Sequence, residues 1–285
     1  MIYIPHPSDP TPWPQSQMID LPAGRFHALI WNQDRLDLPS IVLLHGITSS
    51  ARSWMRVGAA LADRYRVYAL DMRGHGDSVK PAAGPYSLYD TASDVAAFMQ
   101  ALSLTDPVVL GHSWGGATAL ILATKVASQL PELAFRKIIL EDPAHNFGTG
   151  DPVQRASRFS GDIGRPEEEL RAELPRLNPE WSTADIEAKI YASSHVSYEA
   201  VLSVFTEAGN QGDLLPLLGE LPAPTLLMRA DAKLGSTFTD AAWEEAQGLL
   251  VPGSHAIHIA GATHNMHRNR FDAFMQAINT FLSAD

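Results

Sequence analysis

Val108-Val109-Leu110-Gly111-His112-Ser113-Trp114-Gly115-Gly116-Ala117 is the stretch that decides the fold. Val108 to Leu110 is an apolar, β-branched run of strand length, and Ala117 to Lys125 is helix-forming, so the residues between them must make a tight strand-to-helix turn. A serine at the apex of such a turn sits in strained backbone geometry with its hydroxyl projecting above the sheet. Only small residues two positions to either side let the chain turn so sharply, and Gly111 and Gly115 stand there. The following helix directs free N–H groups at the place where negative charge would develop. Ser113 is therefore the candidate nucleophile. The competing reading is a glycine-rich structural turn.

Outward from this turn, short apolar runs alternate with helix-period segments, the pattern of a mostly parallel sheet with helices on both faces. Strands are expected at Phe26 to Trp31, Ile41 to Leu44, Val67 to Leu70, Val108 to Leu110, Ile138 to Leu140, Thr225 to Met228 and Ala256 to Ile259. Val95, Phe98, Met99 and Leu102 recur at helical spacing, as do Phe271, Phe274, Met275 and Ile278, so each segment offers one apolar stripe for packing. Between about Pro143 and Pro222 the alternation breaks. That interval is charged and helix-prone at Glu167 to Leu174, Thr183 to Tyr191 and Tyr198 to Ala208, and carries Phe159, Trp181, Tyr191 and Phe205. The expected organisation is an α/β core over residues 1–142 and 223–285 with an inserted helical cap over 143–222.

The bulk numbers narrow the function classes. A length of 285 residues suffices for one large domain with its own core. The net charge of -11 disfavours nucleic acid and anionic lipid as partners and leaves a small molecule as the better fit. With no cysteine, disulfides, thiolate metal sites and a cysteine nucleophile are excluded. The first 17 residues hold five prolines and no Lys or Arg, and read as an extended arm with no secretion signal. No apolar run approaches a membrane span, so a soluble, cytoplasmic protein is expected.

Three further motifs fall in order around the serine turn: Leu43-Leu44-His45-Gly46-Ile47, Asp71-Met72-Arg73-Gly74-His75-Gly76-Asp77-Ser78, and Gly261-Ala262-Thr263-His264-Asn265. With them the sequence resembles the α/β-hydrolase fold superfamily over nearly its whole length. The resemblance implies an oxyanion hole built from the backbone N–H groups of Ile47 and Trp114, and a catalytic histidine at His264. It treats His45 and His75 as structural loop residues.

A serine hydroxyl needs an imidazole to accept its proton and a carboxylate to fix the tautomer of that imidazole. The acid is left open among three residues. Asp231 follows the strand where the family usually places it, but falls two positions early, with Lys233 at the acid place and Ala230 at the glycine place. A second family arrangement, that of haloalkane dehalogenases and similar to that of zearalenone-type lactonases, puts the acid after the preceding strand, where Glu141 and Asp142 stand. Adjacent carboxylates at a strand end point to opposite faces, so only one should reach His264. Relatives most often carry the acid at the place of Asp142, which is favoured.

The expected activity is hydrolysis of a carboxylic ester or lactone, small to medium and largely apolar, through an acyl-enzyme. Neither cofactor nor metal is called for: His255 and His258 face opposite ways in a strand, and His264 and His267 have no evident acidic partner cluster. Trp181 is either a substrate contact or part of the cap's own core. A carbon–carbon bond hydrolase or cofactor-free perhydrolase would use the same three residues, and a non-enzymatic receptor could be built on the same fold. Serine at the turn, in place of aspartate, argues against dehalogenation and epoxide opening.

Overall fold

The computed structural model describes residues 13–81, 86–147, 150–208 and 212–284. Strands β1 (Gln15–Leu21), β2 (Gly24–Trp31), β3 (Ser40–Leu44), β4 (Arg66–Leu70), β5 (Val108–His112), β6 (Lys137–Glu141), β7 (Thr225–Arg229) and β8 (His255–His258) form one sheet, in the order β1-β2-β4-β3-β5-β6-β7-β8. The first two pairings are antiparallel and the remainder parallel. Every residue of β3, β5 and β7 is buried, as expected of parallel strands covered on both sides. Alternate side chains feed two cores: Val42 and Leu44 join one, Ile41 and Leu43 the other.

The helices are α1 (Met55–Leu61), α2 (Leu88–Ala101), α3 (Trp114–Ile121), α4 (Pro152–Phe159), α5 (Glu167–Leu177), α6 (Thr183–Ser194), α7 (Tyr198–Ala208), α8 (Asp240–Leu249), α9 (Met266–Asn269) and α10 (Phe271–Ser283). Val95, Phe98 and Met99 of α2 pack with α3 and α8 in the first core, and Phe274, Met275 and Ile278 of α10 pack with α1 in the second. The two apolar stripes are thus packing surfaces. No helix among the described residues is long and apolar enough to cross a membrane.

Between β6 and β7 the described residues hold α4 to α7, and their only β pairing is the bridge Asn146 to Asp213. Helices α5 and α6 close around Leu170, Leu174, Ile186 and Ile190, with Trp181 packed against them. Ser182 and Asp185 cap α6 reciprocally, which fixes where it starts. Helix α7 sends Val201, Val204 and Phe205 into the first core, tying this stretch to the sheet.

Two expectations need correction. Residues 15–17 of the extended arm belong to β1; residues 1–12 lie outside the described residues. That strand carries no signal in the sequence because it is a polar edge, largely exposed, and its hydrogen bonds to β2 require no apolar run. The helix expected from Ala117 starts at Trp114, directly after the serine, and widens into a π-type turn over Leu122–Val126.

Candidate active site

The carboxyl ends of the parallel strands deliver the residues singled out from the sequence, the usual place for a ligand site in such a sheet. Ser113 follows β5 with φ 53° and ψ -115°, a conformation that costs a non-glycine residue about 1–3 kcal/mol. Neighbouring backbone enforces it. A Cβ on Gly111 would lie 2.3 Å from the carbonyl oxygen of Gly115, and one on Gly115 would lie 2.3 Å from that of Leu44. The Ser113 N–H donates to the Glu141 carbonyl (3.0 Å), and the Ser113 carbonyl accepts from Ala117 and Ala144. The turn is therefore pinned both to β6 and to its own helix.

His264 comes from the loop after β8. Its Nδ1 donates to Asp142 Oδ2 at 2.6 Å, leaving Nε2 as the acceptor. The Asp142 side chain is fully buried and also accepts from Ser236 Oγ (2.6 Å), Thr237 N (3.0 Å) and Ala230 N (3.3 Å), so its position is held from several sides. Asp142 itself has φ 40°, which turns it out of the strand line. His112, beside the serine, donates from Nε2 to the carbonyl of His264 (2.9 Å) and clamps the loop to the turn. Burial lowers the His112 pKa well below the ordinary value, keeping the ring neutral.

The other two candidate acids are otherwise engaged. Glu141 pairs with His267, accepting from its backbone N–H and from Nδ1, each at 2.9 Å. Asp231 accepts from the N–H of Lys233 and opens a short turn. His45 and His75 are built into the backbone: His45 Nε2 accepts from Met72 N (3.1 Å) and His75 Nε2 from Thr48 N (3.2 Å). Burial pushes the His75 pKa down to about 3, so it stays an acceptor.

Ser113 and His264 line one cavity of about 140 Å³, together with Gly46, Ile47, Trp181 and residues of the insertion. Trp114 is the first residue of α3, so its N–H has no acceptor within the helix. Gly46 lies so close that a Cβ there would be 3.3 Å from Ser113 Cβ and 2.7 Å from His112 Nδ1. Trp181 fills both places expected of it, packing on the cluster between α5 and α6 while lining the cavity.

The wall is less apolar than the sequence suggests. Lys189 of α6 and Arg268 of α9 both line it, and neither stood out in a linear reading. Arg268 lies four residues after His264, and that nearness in sequence is the only local signal that could have flagged it. His112, Glu141 and His267 also come within 4.8 Å of one another, a possible ligand grouping missed because Glu141 and His267 are 126 residues apart. Hydrogen bonds already occupy these groups: His112 Nε2 donates to the His264 carbonyl, His267 Nδ1 donates to Glu141, and His267 Nε2 accepts from the Arg268 guanidinium at 3.3 Å. A guanidinium at that distance disfavours a bound cation.

Residues 39–163 match the family model described as the alpha/beta hydrolase fold. Over 86% of its length the chain is 26% identical to the 2-(acetamidomethylene)succinate hydrolase of Mesorhizobium japonicum, of which the match covers 88%. Among solved structures, an E-2-(acetamidomethylene)succinate hydrolase superposes with a TM-score of 0.78 at 23% identity, covering 95% of this chain and 99% of that one. The enol-lactonase from Burkholderia xenovorans LB400 superposes with a TM-score of 0.74 at 24% identity, covering 94% of this chain and 100% of that one. The strand order, the turn at Ser113 and these likenesses agree that the chain has the α/β-hydrolase fold, and residues 39–163 are similar to that family.

Proposed function

We propose that the chain is a serine hydrolase that cleaves a carboxylic ester or lactone of small to medium size. The observation that carries this reading is the 2.6 Å bond from His264 Nδ1 to Asp142, with His264 and Ser113 on the wall of one cavity. The bond to Asp142 leaves Nε2 with its lone pair, which is the form of imidazole a serine needs. His264 removes the Ser113 proton as the hydroxyl oxygen attacks the carbonyl carbon, and the backbone N–H groups of Ile47 and Trp114 hold the oxyanion. Each such donor contributes roughly 2.7 to 4 kcal/mol in the transition state. The protonated ring, its charge steadied by Asp142, passes the proton to the leaving alcohol; water then cleaves the acyl-enzyme by the same route.

The insertion serves as the cap. Helices α4 to α6 bring Phe159, Trp181 and Lys189 over the serine, limiting the length of acyl or alcohol group that fits and keeping bulk water from the acyl-enzyme. Relatives named as a hydrolase of a substituted succinate and as an enol-lactonase support acyl chemistry on this scaffold. The test is hydrolysis of p-nitrophenyl acetate and butyrate by the wild-type protein and by Ser113→Ala. Turnover by the wild type, with loss of at least about 10³-fold in the variant at an unchanged melting temperature, is the expected outcome. Undiminished activity in the variant removes the reading.

A further inference from the structure

Three arginines among the described residues are buried: Arg73, Arg229 and Arg268. Arg73 is held by Asp94 through two hydrogen bonds, and Arg229 is paired with Asp240. Arg268 differs. It is 4% exposed, yet among the described residues no carboxylate oxygen comes within ion-pair distance of it. Its bonds go to neutral acceptors, from Nε to His267 Nε2 (3.3 Å) and from Nη2 to Ser49 Oγ (3.2 Å), while the ring of Trp181 lies against the guanidinium at 4.5 Å.

The carboxylates nearby are committed elsewhere. Asp185 binds Arg56 at 3.0 Å, and Glu141 is taken by His267, with burial raising its pKa; both act on Arg268 only from beyond ion-pair distance, and burial still lowers the Arg268 pKa. A guanidinium is charged at any accessible pH, so Arg268 cannot escape the cost of burial by losing its proton. Its side chain is nonetheless held on the wall of the cavity that contains Ser113 and His264. Lys189 lines the same wall from α6, with Asp162 as its partner at 3.2 Å. Two cations thus face the cavity, and one of them, Arg268, has no direct ion-pair partner among the described residues.

We infer that Arg268 is the receptor for a carboxylate carried by the substrate, with Lys189 adding to the positive field, so that the natural substrate is an acidic ester or lactone such as a half-ester of a dicarboxylic acid. This rests on the ester-hydrolase reading above for the chemistry, though not for the binding. The planar fork of a guanidinium suits a carboxylate, and Nη1 has no acceptor among the described residues. Trp181 and Ser49 set the plane of the fork, and His267, fixed by Glu141, orients its Nε edge. Bound carboxylate supplies the direct ion-pair partner that Asp185 and Glu141 do not, and places the scissile carbonyl at the serine.

The experiment compares the monomethyl and dimethyl esters of malonate, succinate, glutarate and adipate, which differ only in whether the far end is charged. For at least one chain length the monoanion should have the higher kcat/KM, and Arg268→Gln should reduce the ratio of charged to neutral ester by about 10- to 100-fold, mainly through KM. Arg268→Lys should restore part of the ratio. A purely structural role for Arg268 lowers both esters alike and leaves the ratio unchanged, which overturns the inference. So does a wild-type protein that hydrolyses the neutral esters equally well or better at every length. Calorimetry of the four free dicarboxylates with the wild type and Lys189→Met separates the subsite from the chemistry and needs no turnover. Dicarboxylate binding that weakens in Lys189→Met and in higher salt sustains the subsite even if no ester is cleaved, in which case the ester reading alone fails. No binding at millimolar concentration, with no charged-ester preference, ends it.

Discussion

At the end of β6 two adjacent acids each hold a histidine from the same short stretch of chain, Asp142 with His264 and Glu141 with His267. The pairs share residue types and nearly the same bond lengths, 2.6 Å and 2.9 Å, but not their surroundings. His267 is 1% exposed with its far nitrogen occupied by Arg268, whereas His264 is 24% exposed and borders the cavity. One acid–histidine couple is closed on all sides and can only orient its neighbours. The other keeps one imidazole nitrogen available to a proton. In the proposed mechanism, what separates the working pair from the structural one is access at Nε2, which the more exposed His264 has and His267 lacks. His112 stands between the two, its ring 4.6 Å from that of His264 and 5.1 Å from that of His267.

The contrast can be broken most sharply at Asp142. Asp142→Asn should cost about 10⁴ in kcat with p-nitrophenyl esters, because the amide favours the wrong tautomer of His264. The fold should survive, as judged by circular dichroism. A smaller effect is expected at the residue on which His112 rests. The Cβ of Gly46→Ala would meet His112 Nδ1 at 2.7 Å, and shifting that ring drags the His264 carbonyl it holds. A displacement of this kind costs on the order of 10²-fold in rate, read from kcat while the melting temperature moves little.

Glu141→Gln should show the reverse balance. An amide in the sealed pair leaves a donor without a partner and should destabilise by about 1–3 kcal/mol in urea denaturation, while kcat stays within about tenfold of the wild type. Should this variant lose as much rate as Asp142→Asn at full stability, the assignment of the two acids would be reversed. The smallest effect belongs to Asp231→Asn, within about 0.5 kcal/mol in stability, with ester hydrolysis nearly unchanged, since its carboxylate accepts only from the backbone N–H groups of Lys233 and Gly261 and an amide oxygen can do the same.

Much of this arrangement is legible in the sequence. The strand-turn-helix at Ser113 is written locally, because three glycines, an apolar run and a helix former sit within ten residues. The core strands are equally plain, being buried on both faces and hence apolar along their centres, as in Val108 to Leu110 and Ile138 to Leu140. β1 is the counterexample, an edge strand whose polar side chains carry no pattern. The acid could be narrowed to three residues but not to one, since the choice depends on which carboxylate the loop after β8 approaches, a contact 122 residues long in sequence. Arg268 and Lys189 were silent for the same reason: a cation on a helix usually faces solvent, and only the way α6 and α9 meet above the sheet turns these two inward.

Reaction of the intact protein with one equivalent of a fluorophosphonate, followed by mass spectrometry of the whole chain and of its proteolytic peptides, tests the nucleophile most directly. The expected result is a single adduct on Ser113 that forms at a rate reduced by orders of magnitude in His264→Gln and Asp142→Asn. Hydrolysis of esters by a protein that carries the adduct elsewhere, or carries none, would contradict the account.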